Sequence, residues 1–218
     1  VNHTEAIAED KDMLAMLSPY QKFGQDKLNI QIGSSDGKLE GDRAVVRTKP
    51  TNLGVLIGQA MMTRTKADLA VLNSGGVRDS IAAGAITYKD VLKVQPFGNT
   101  VCTADLTGSE LTQYLNAVAK ISTVSGGFPQ FAGIELELVS GMAASARING
   151  KPLDMAKTYR VAVNNFQAAG GDGYPKLTGH PSFVNTGFVD ADVLRSYIAA
   201  RSPLKVADFD PGTSVTRR

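Results

Sequence analysis

Cysteine and histidine are almost missing from this chain. Its single cysteine, Cys102, excludes an internal disulfide and a cysteine-built zinc cage. The only histidines, His3 and His180, lie far apart in sequence, which leaves a Ser-His-Asp site or a histidine-rich metal site poorly supplied. No charge of one sign dominates: 23 Lys and Arg stand against 21 Asp and Glu, a formal net charge of +2. A dedicated nucleic-acid binder carries a strong basic excess, so no nucleic-acid partner is expected. No run approaches the roughly 18 apolar residues of a membrane-spanning helix. The opening Val1-Asn2-His3-Thr4-Glu5 has neither the basic nor the apolar region of a signal peptide, and a start at Val reads as a mature or excised piece. Missing too are Gly-x-x-x-x-Gly-Lys-Ser/Thr, His-Glu-x-x-His, Gly-x-Ser-x-Gly and any dense Asp/His/Asn cluster for two catalytic metals.

What is present is a globular composition, 43% hydrophobic and 20% charged over 218 residues. That suits one large domain or two small ones able to bury roughly 70% of the surface exposed on unfolding. Ile7, Met13, Leu14, Met16, Leu17, Tyr20 and Phe23 recur at helical intervals. Ser18-Pro19 reads as a second helix start, giving one kinked helix or two short ones that end at Gly24 and Asn29. A strand over 29–34 and a turn at Ser35-Asp36-Gly37 follow. Thr51 or Asn52 caps a helix to about Lys66, and 68–73 reads as a buried strand. Thr87-x-x-Asp90 opens a helix to Val94, and a strand follows over 99–106. Thr107-x-x-Glu110 is a capping box for a helix to about Ile121. The stretch 122–130 reads as loop, 134–139 as strand, Asn149-Gly150 as a type I′ hairpin turn and 158–164 as a β-branched strand. Asp190 is expected to cap a last helix carrying Val193, Leu194, Tyr197 and Ile198, and the final residues to fray. The alternation points to an α+β domain, 29–218, behind a helical lead-in, 1–28.

Four stretches could carry chemistry, each with a plainer alternative. In Asn73-Ser74-Gly75-Gly76-Val77-Arg78, successive amides after a buried strand could form an anion-binding nest beside Arg78; the alternative is a strand-to-loop turn with an exposed arginine. Arg43 and Arg47 share a face and suit a polyanion, or pair with Glu40 and Asp42 in solvent, as isolated surface charges usually do. Pro96-Phe97-Gly98-Asn99 sets a ring beside an amide able to read a base edge, although an isolated phenylalanine is more often core. In Phe166 to Pro175, three glycines surround Asp172 after a hydrophobic strand. There the carboxylate could accept both hydroxyls of a ribose and Phe166 could stack on a base, or the segment is a tight turn with a capping aspartate. Groups for recognising a nucleotide are plentiful and groups for reacting with it are missing, so the chain reads as a binder.

The stretches Asn73 to Ile81, Lys93 to Asn99 and Gly170 to Pro175, in that order and at those separations, resemble the C-terminal domain of the 5′-nucleotidases, and most of all the periplasmic bacterial type that also hydrolyses UDP-sugars. The likeness runs over nearly the whole chain. It implies a four-layer α/β/β/α arrangement of mixed sheets and a periplasmic location. It also implies a covalently linked N-terminal metallophosphatase domain that holds a divalent metal pair and the catalytic residues, with no cofactor in this chain. The domain here would bind nucleosides, nucleotides and UDP-sugars and, alone, hydrolyse nothing. By the resemblance Phe97 and Phe166 sandwich the base, Asn99 bonds its edge, Asp172 holds the ribose, and Gly126 lines the base pocket. Arg43, Arg47 and Arg78 contact phosphates, with Asn73 a polar neighbour. Position 74 is Ser where other members have glycine. The rival readings are a stand-alone nucleotide- or sugar-binding module and an interaction domain whose glycine loops serve packing.

Overall fold

Capping side chains set most of the helix boundaries in the computed structural model, which describes residues 9–218. Helix α1, Lys11–Leu28, begins where the Asp10 carboxylate accepts the amides of Asp12 and Met13, both at 3.0 Å. It is one element with Pro19 and Gly24 inside it and Asn29 as its C-cap. The Ser18-Pro19 start and the Gly24 stop are therefore not used, although an interior proline both removes a ladder hydrogen bond and crowds the preceding turn. Ile7 of the leading apolar series lies outside the described residues. Strand β1, Gln31–Ser35, leads to the short helix α2, Arg43–Val46, capped by Asp42. Helix α3, Asn52–Thr65, is capped by Thr51, and β2 is Leu69–Asn73. Strand β3, Gly84–Thr87, runs into α4, Tyr88–Val94, and β4, Thr100–Thr107, into α5, Gly108–Ala119. Both helices start with the reciprocal capping box read from the sequence.

Next come β5, Pro129–Ala132, β6, Ile134–Val139, β7, Met142–Ile148, and β8, Lys151–Pro152. The β7–β8 turn places Asn149 and Gly150 at φ 53° and 70°, as a type I′ turn requires. Strand β9, Thr158–Asn164, is followed by the single-turn α6, Asn165–Ala168. The chain closes with β10, Val184–Val189, α7, Asp190–Arg201, and β11, Val215–Arg217.

The sheets are mixed. A five-stranded sheet runs β10-β4-β9-β2-β5, with β2 parallel to β9 and the other pairs antiparallel. A four-stranded sheet runs β11-β6-β7-β8, and β1 pairs with β3. The period of two along each strand splits the core. Ala70, Leu72, Val101 and Ala162 face helices α3, α4 and α7 through Leu56, Ile57, Val91, Leu194 and Ile198. Leu69, Val71, Cys102, Val161 and Val163 face α5 and the second sheet through Leu111, Leu115, Val118, Leu136 and Leu138. This is the α+β class with mixed sheets that the sequence predicts.

Four local readings change. Pro129 and Gln130 belong to β5 rather than to a loop, because their backbones pair with Asn73 and Leu72. Strands β3 and β10 have little apolar alternation and lie at sheet margins, so periodicity did not mark them. Asp190 is the first residue of α7 and not its cap; Val189 holds that position with no side-chain bond. The final residues do not fray, because Val215, Thr216 and Arg217 run parallel to Leu136, Glu137 and Leu138.

Candidate functional site

The carboxyl ends of β2 and β9, neighbours in the sheet, open into a cleft of about 480 Å³. Its lining is Arg47, Asn73, Gly75, Gly76, Arg78, Phe97, Asn99, Gly126, Phe166 and Asp172. Residues from five separated stretches meet here, and eight of the nine residues singled out in the sequence are among them. Arg43 is the exception. It sits exposed at the start of α2 and does not line the cleft, although its charge acts on Arg47.

The two rings are not core. Phe97 is 58% exposed and Phe166 45% exposed, in a protein that buries most of its other large apolar side chains. Phe97 sits where Gly98, at φ 64°, turns the chain into β4. Phe166 stands in α6, whose start is fixed where the Asn164 side chain accepts the Gln167 amide at 2.8 Å. One face of its ring rests on Gly171: a Cβ there would lie 2.5 Å from Cε1 and Cζ, so only glycine lets the ring sit where it does.

Asp172 follows at φ 56°, left-handed backbone that a non-glycine residue adopts at a cost. Its carboxylate is exposed, and Oδ2 accepts from Asn73 Nδ2 at 2.7 Å. The buried Asn73 in turn accepts from Asn164 Nδ2 at 2.9 Å. Asn73 thus serves as a prop for Asp172 in the structure, a task its place in the sequence did not reveal. Asn164, which aims both Asn73 and the Phe166 helix, was not singled out; its Asn-x-x-Gln spacing was the available signal.

The glycine stretch after β2 is a single 3-10 turn, Ser74–Gly76. Of the amides from 74 to 78, all but that of Gly76 are spent inside the fold: Ser74 N–H on Phe128 O at 2.9 Å, Gly75 N–H on Gly126 O at 2.7 Å, Val77 N–H on Ser74 O at 3.0 Å and Arg78 N–H on Val94 O at 3.0 Å. A nest of successive amides is therefore not formed, and at most the Gly76 N–H is left for a ligand. The glycines serve close approach instead, since a Cβ on Gly75 would lie 3.1 Å from Gly126 O.

Positive charge at the cleft comes from side chains. Burial pulls the Arg47 guanidinium below its usual pKa, the charges of Arg43 and Arg78 add to that, and Asp172 opposes it. Three guanidiniums close enough to repel one another, against one carboxylate, make a place for an anion. Arg47 is positioned from below by the fully buried Gln130. Its Nε2 donates to Val46 O at 2.7 Å and Lys49 O at 2.8 Å, and its Oε1 accepts the Thr51 amide at 2.9 Å. Arg78 is exposed, 5.6 Å from the Phe97 ring centre and 3.4 Å from Gly75 O. Neither contact restrains it strongly.

Among the described residues no group of three or more His, Cys, Asp or Glu could hold a metal ion, and the cleft has one carboxylate. Cys102 is buried in the core. His180 bonds Ser182 at 2.8 Å and approaches Glu110 at 3.5 Å, but the Ser182 hydroxyl is already committed to both the amide and the carbonyl of Asp105. A dimetal pair does not fit these residues. No described helix is long and apolar enough to cross a membrane.

Fold and cleft together define an α+β domain with one cleft lined by two exposed rings, two arginines and a carboxylate, and comparison with known proteins shows that its relatives carry such a domain as one portion of a longer chain. A 5′-nucleotidase of Vibrio cholerae is 55% identical over 99% of this chain and 39% of its own length. Protein UshA of Escherichia coli is 51% identical over the same shares. The crystal structure of a 5′-nucleotidase precursor from Thermus thermophilus superposes with a TM-score of 0.76 at 32% identity, covering 94% of this chain and 42% of that one. The Haemophilus influenzae NAD nucleotidase, at 24% identity, shares the fold with a TM-score of 0.79. The model of the 5′-nucleotidase C-terminal domain matches residues 31–179. The chain belongs to that family, and it spans about two-fifths of the length of the curated relatives it matches.

Proposed function

We propose that this chain is the substrate-specificity domain of a two-domain 5′-nucleotidase/UDP-sugar hydrolase, with residues 29–218 as the binding domain and 1–28 as the link to a metallophosphatase domain. The observation that carries the reading is the pair of exposed rings, Phe97 and Phe166, on one cleft with a carboxylate and two arginines. Leaving two phenylalanines about half exposed forgoes burial worth about 1 kcal/mol each, an arrangement that favours a flat apolar ligand against them. A base would enter there, with Asn99 at its edge and Gly126 leaving room beside it. Asp172, held by Asn73, would take the ribose hydroxyls. Arg47 and Arg78, with Arg43 acting at longer range, would hold the phosphates.

The chemistry of hydrolysis would belong to the metal pair of the other domain. This chain's contribution is to bind the nucleoside end and fix where the phosphate projects, which raises the rate by orientation. Nucleosides, nucleotides and UDP-sugars are the ligands, the periplasm is the compartment of the resembling enzymes, and the isolated chain should bind without hydrolysing. Titration calorimetry with adenosine tests this: Phe166→Ala should weaken binding about 5- to 150-fold, the loss of about 1–3 kcal/mol of stacking. Unchanged affinity would remove the ring from the site. Binding of UDP-glucose or AMP by a native protein of this mass would favour the stand-alone module instead.

A further inference from the structure

The two rings reach the cleft from separate stretches, and the fold has to set the distance between them. Phe97 lies in the link Pro96-Phe97-Gly98, which among the described residues makes no backbone hydrogen bond to the rest of the chain. Gly98 in that link stands at φ 64°, and β4 begins just beyond it at Thr100. Phe166 stands in α6, a single turn too short to persist by itself in water. That turn is fastened at both ends: the Asn164 side chain accepts the Gln167 amide at 2.8 Å, and the Ala168 carbonyl accepts the Leu177 amide at 2.9 Å.

One side chain ties the loose stretch to the fastened one. Strands β4 and β9 run antiparallel, and their last pair toward the cleft sets Val101 opposite Asn164. At Asn165 the chain turns into α6, so its carbonyl accepts the Ala169 amide at 3.1 Å instead of a strand partner. Its side-chain Oδ1 stands in and accepts the Thr100 amide at 3.0 Å. Only the oxygen of a carboxamide accepts from an N–H, so the bond also fixes which way the half-buried Asn165 amide points. The other anchor just before β4 is the Asn99 carbonyl, which accepts the Asp190 amide at 2.8 Å on the side of β4 away from β9. The Thr100–Asn165 bond therefore closes the short path from Phe97, just ahead of Thr100, to Phe166, next after Asn165.

We propose that Asn165 is a positioning residue for base stacking: by accepting the Thr100 amide on its side chain it fixes the separation of Phe97 and Phe166, so that a flat ring meets both at once. The inference rests on the base pocket proposed above. Without the bond the Thr100 amide turns to water and the link carrying Phe97 swings about Gly98. A ligand that uses both rings then binds only the fraction of molecules in which they are correctly spaced, and its affinity falls by that fraction. With one ring removed there is no spacing left to set, and Asn165 ceases to matter. An aspartate at 165 still carries an oxygen for the Thr100 amide and keeps the tie.

AMP is titrated calorimetrically into the 218-residue chain as wild type, Asn165→Ala, Asn165→Asp, Phe97→Ala and the double variant Asn165→Ala/Phe97→Ala, with a thermal melt of each. Asn165→Ala should weaken AMP about tenfold, inside the roughly 5- to 150-fold that loss of one stacked ring brings, and Asn165→Asp should recover most of that loss. Once Phe97→Ala has removed the ring, Asn165→Ala should cost no more than about twofold further. A merely structural Asn165 would lower affinity by the same factor with or without the Phe97 ring. That result overturns the inference, as does an Asn165→Ala affinity equal to the wild type or an Asn165→Asp no better than Asn165→Ala. If Phe97→Ala leaves AMP binding unchanged, the base pocket itself fails; if it weakens AMP while any of those three results holds, only the role of Asn165 fails. Should Asn165→Ala not fold, Asn165→Ser, whose hydroxyl is too short to reach the amide, takes its place in every comparison.

Discussion

Replacing Gly171 by alanine should abolish stacking without removing either ring. The added Cβ would lie 2.5 Å from Cε1 and Cζ of Phe166 and 2.7 Å from Cδ1. Ordinary carbon contacts begin at about 3.5 Å, so the ring must move roughly 1 Å from the place it holds on the cleft. A ring displaced by that much no longer presents the face on which the base is proposed to stack. The expected loss is most of the stacking contribution, about 1–3 kcal/mol, or 5- to 150-fold in adenosine affinity. Gly171, unlike Gly170 and Gly173, does not have positive φ, so alanine is conformationally allowed and folding should suffer by no more than about 1 kcal/mol. Calorimetry with adenosine and a thermal melt separate the two effects. A double-mutant cycle supplies the decisive comparison. Once Phe166→Ala has removed the ring, Gly171→Ala should cost almost nothing further. If the two losses add in full, the glycine acts by some route other than the ring and the reasoning is wrong.

Asp172→Ala should weaken adenosine more than it weakens the 2′-deoxy and 3′-deoxy analogues, and equal losses across the three would contradict a ribose contact. Gln130→Ala should cost about 3 kcal/mol or more in a denaturant melt, because it leaves the Thr51 amide and the Val46 and Lys49 carbonyls without their buried partner; AMP affinity should fall with it as Arg47 loses its support, and a loss near zero would show that water replaces the side chain. Asp190 also makes stability depend on pH. Its folded pKa, about 6, lies above the ordinary aspartate value of 3.8, so between the two the folded protein holds a proton that the unfolded chain has released. Its contribution therefore falls as pH rises through that window, by at most about 3 kcal/mol. Melts at pH 5 and pH 7 should show Asp190→Asn flattening that slope, and an unchanged slope would assign it elsewhere.

The cleft shows where sequence reasoning stops. Phe166 and Asp172 stand out because they sit in a glycine-rich stretch directly after a strand, with more backbone freedom than a turn needs, whereas Phe97, before β4, reads by itself as core and is marked with Asn99 by the resemblance. Arg43 and Arg47 looked equivalent, one helical turn apart. Only Arg47 lines the cleft, because the buried Gln130 ties its turn to β5. Asn73 looked like a phosphate neighbour, but its partner is a carboxylate 99 residues away. Gly75 and Gly76 suggested an anion nest, yet the amides of Ser74, Gly75 and Arg78 are claimed by Phe128, Gly126 and Val94, which leaves no run of successive free amides.

Local chemistry was legible because it is local. The boxes Thr87-x-x-Asp90 and Thr107-x-x-Glu110, the Asn149-Gly150 turn, the apolar run of β2, the alternation of β6 and the β-branched run of β9 depend on residues a few positions apart, whose geometry the backbone dictates. Strands β10 and β11 are different. Weakly patterned by themselves, they become strands because β4 and β6 offer unpaired edges, and the backbone groups of a buried edge must find partners. The tertiary structure alone brought β10 and the start of α7 beside Asn99, and alone decided which polar groups point inward, since a side chain's bonds are chosen among whatever the fold brings near it.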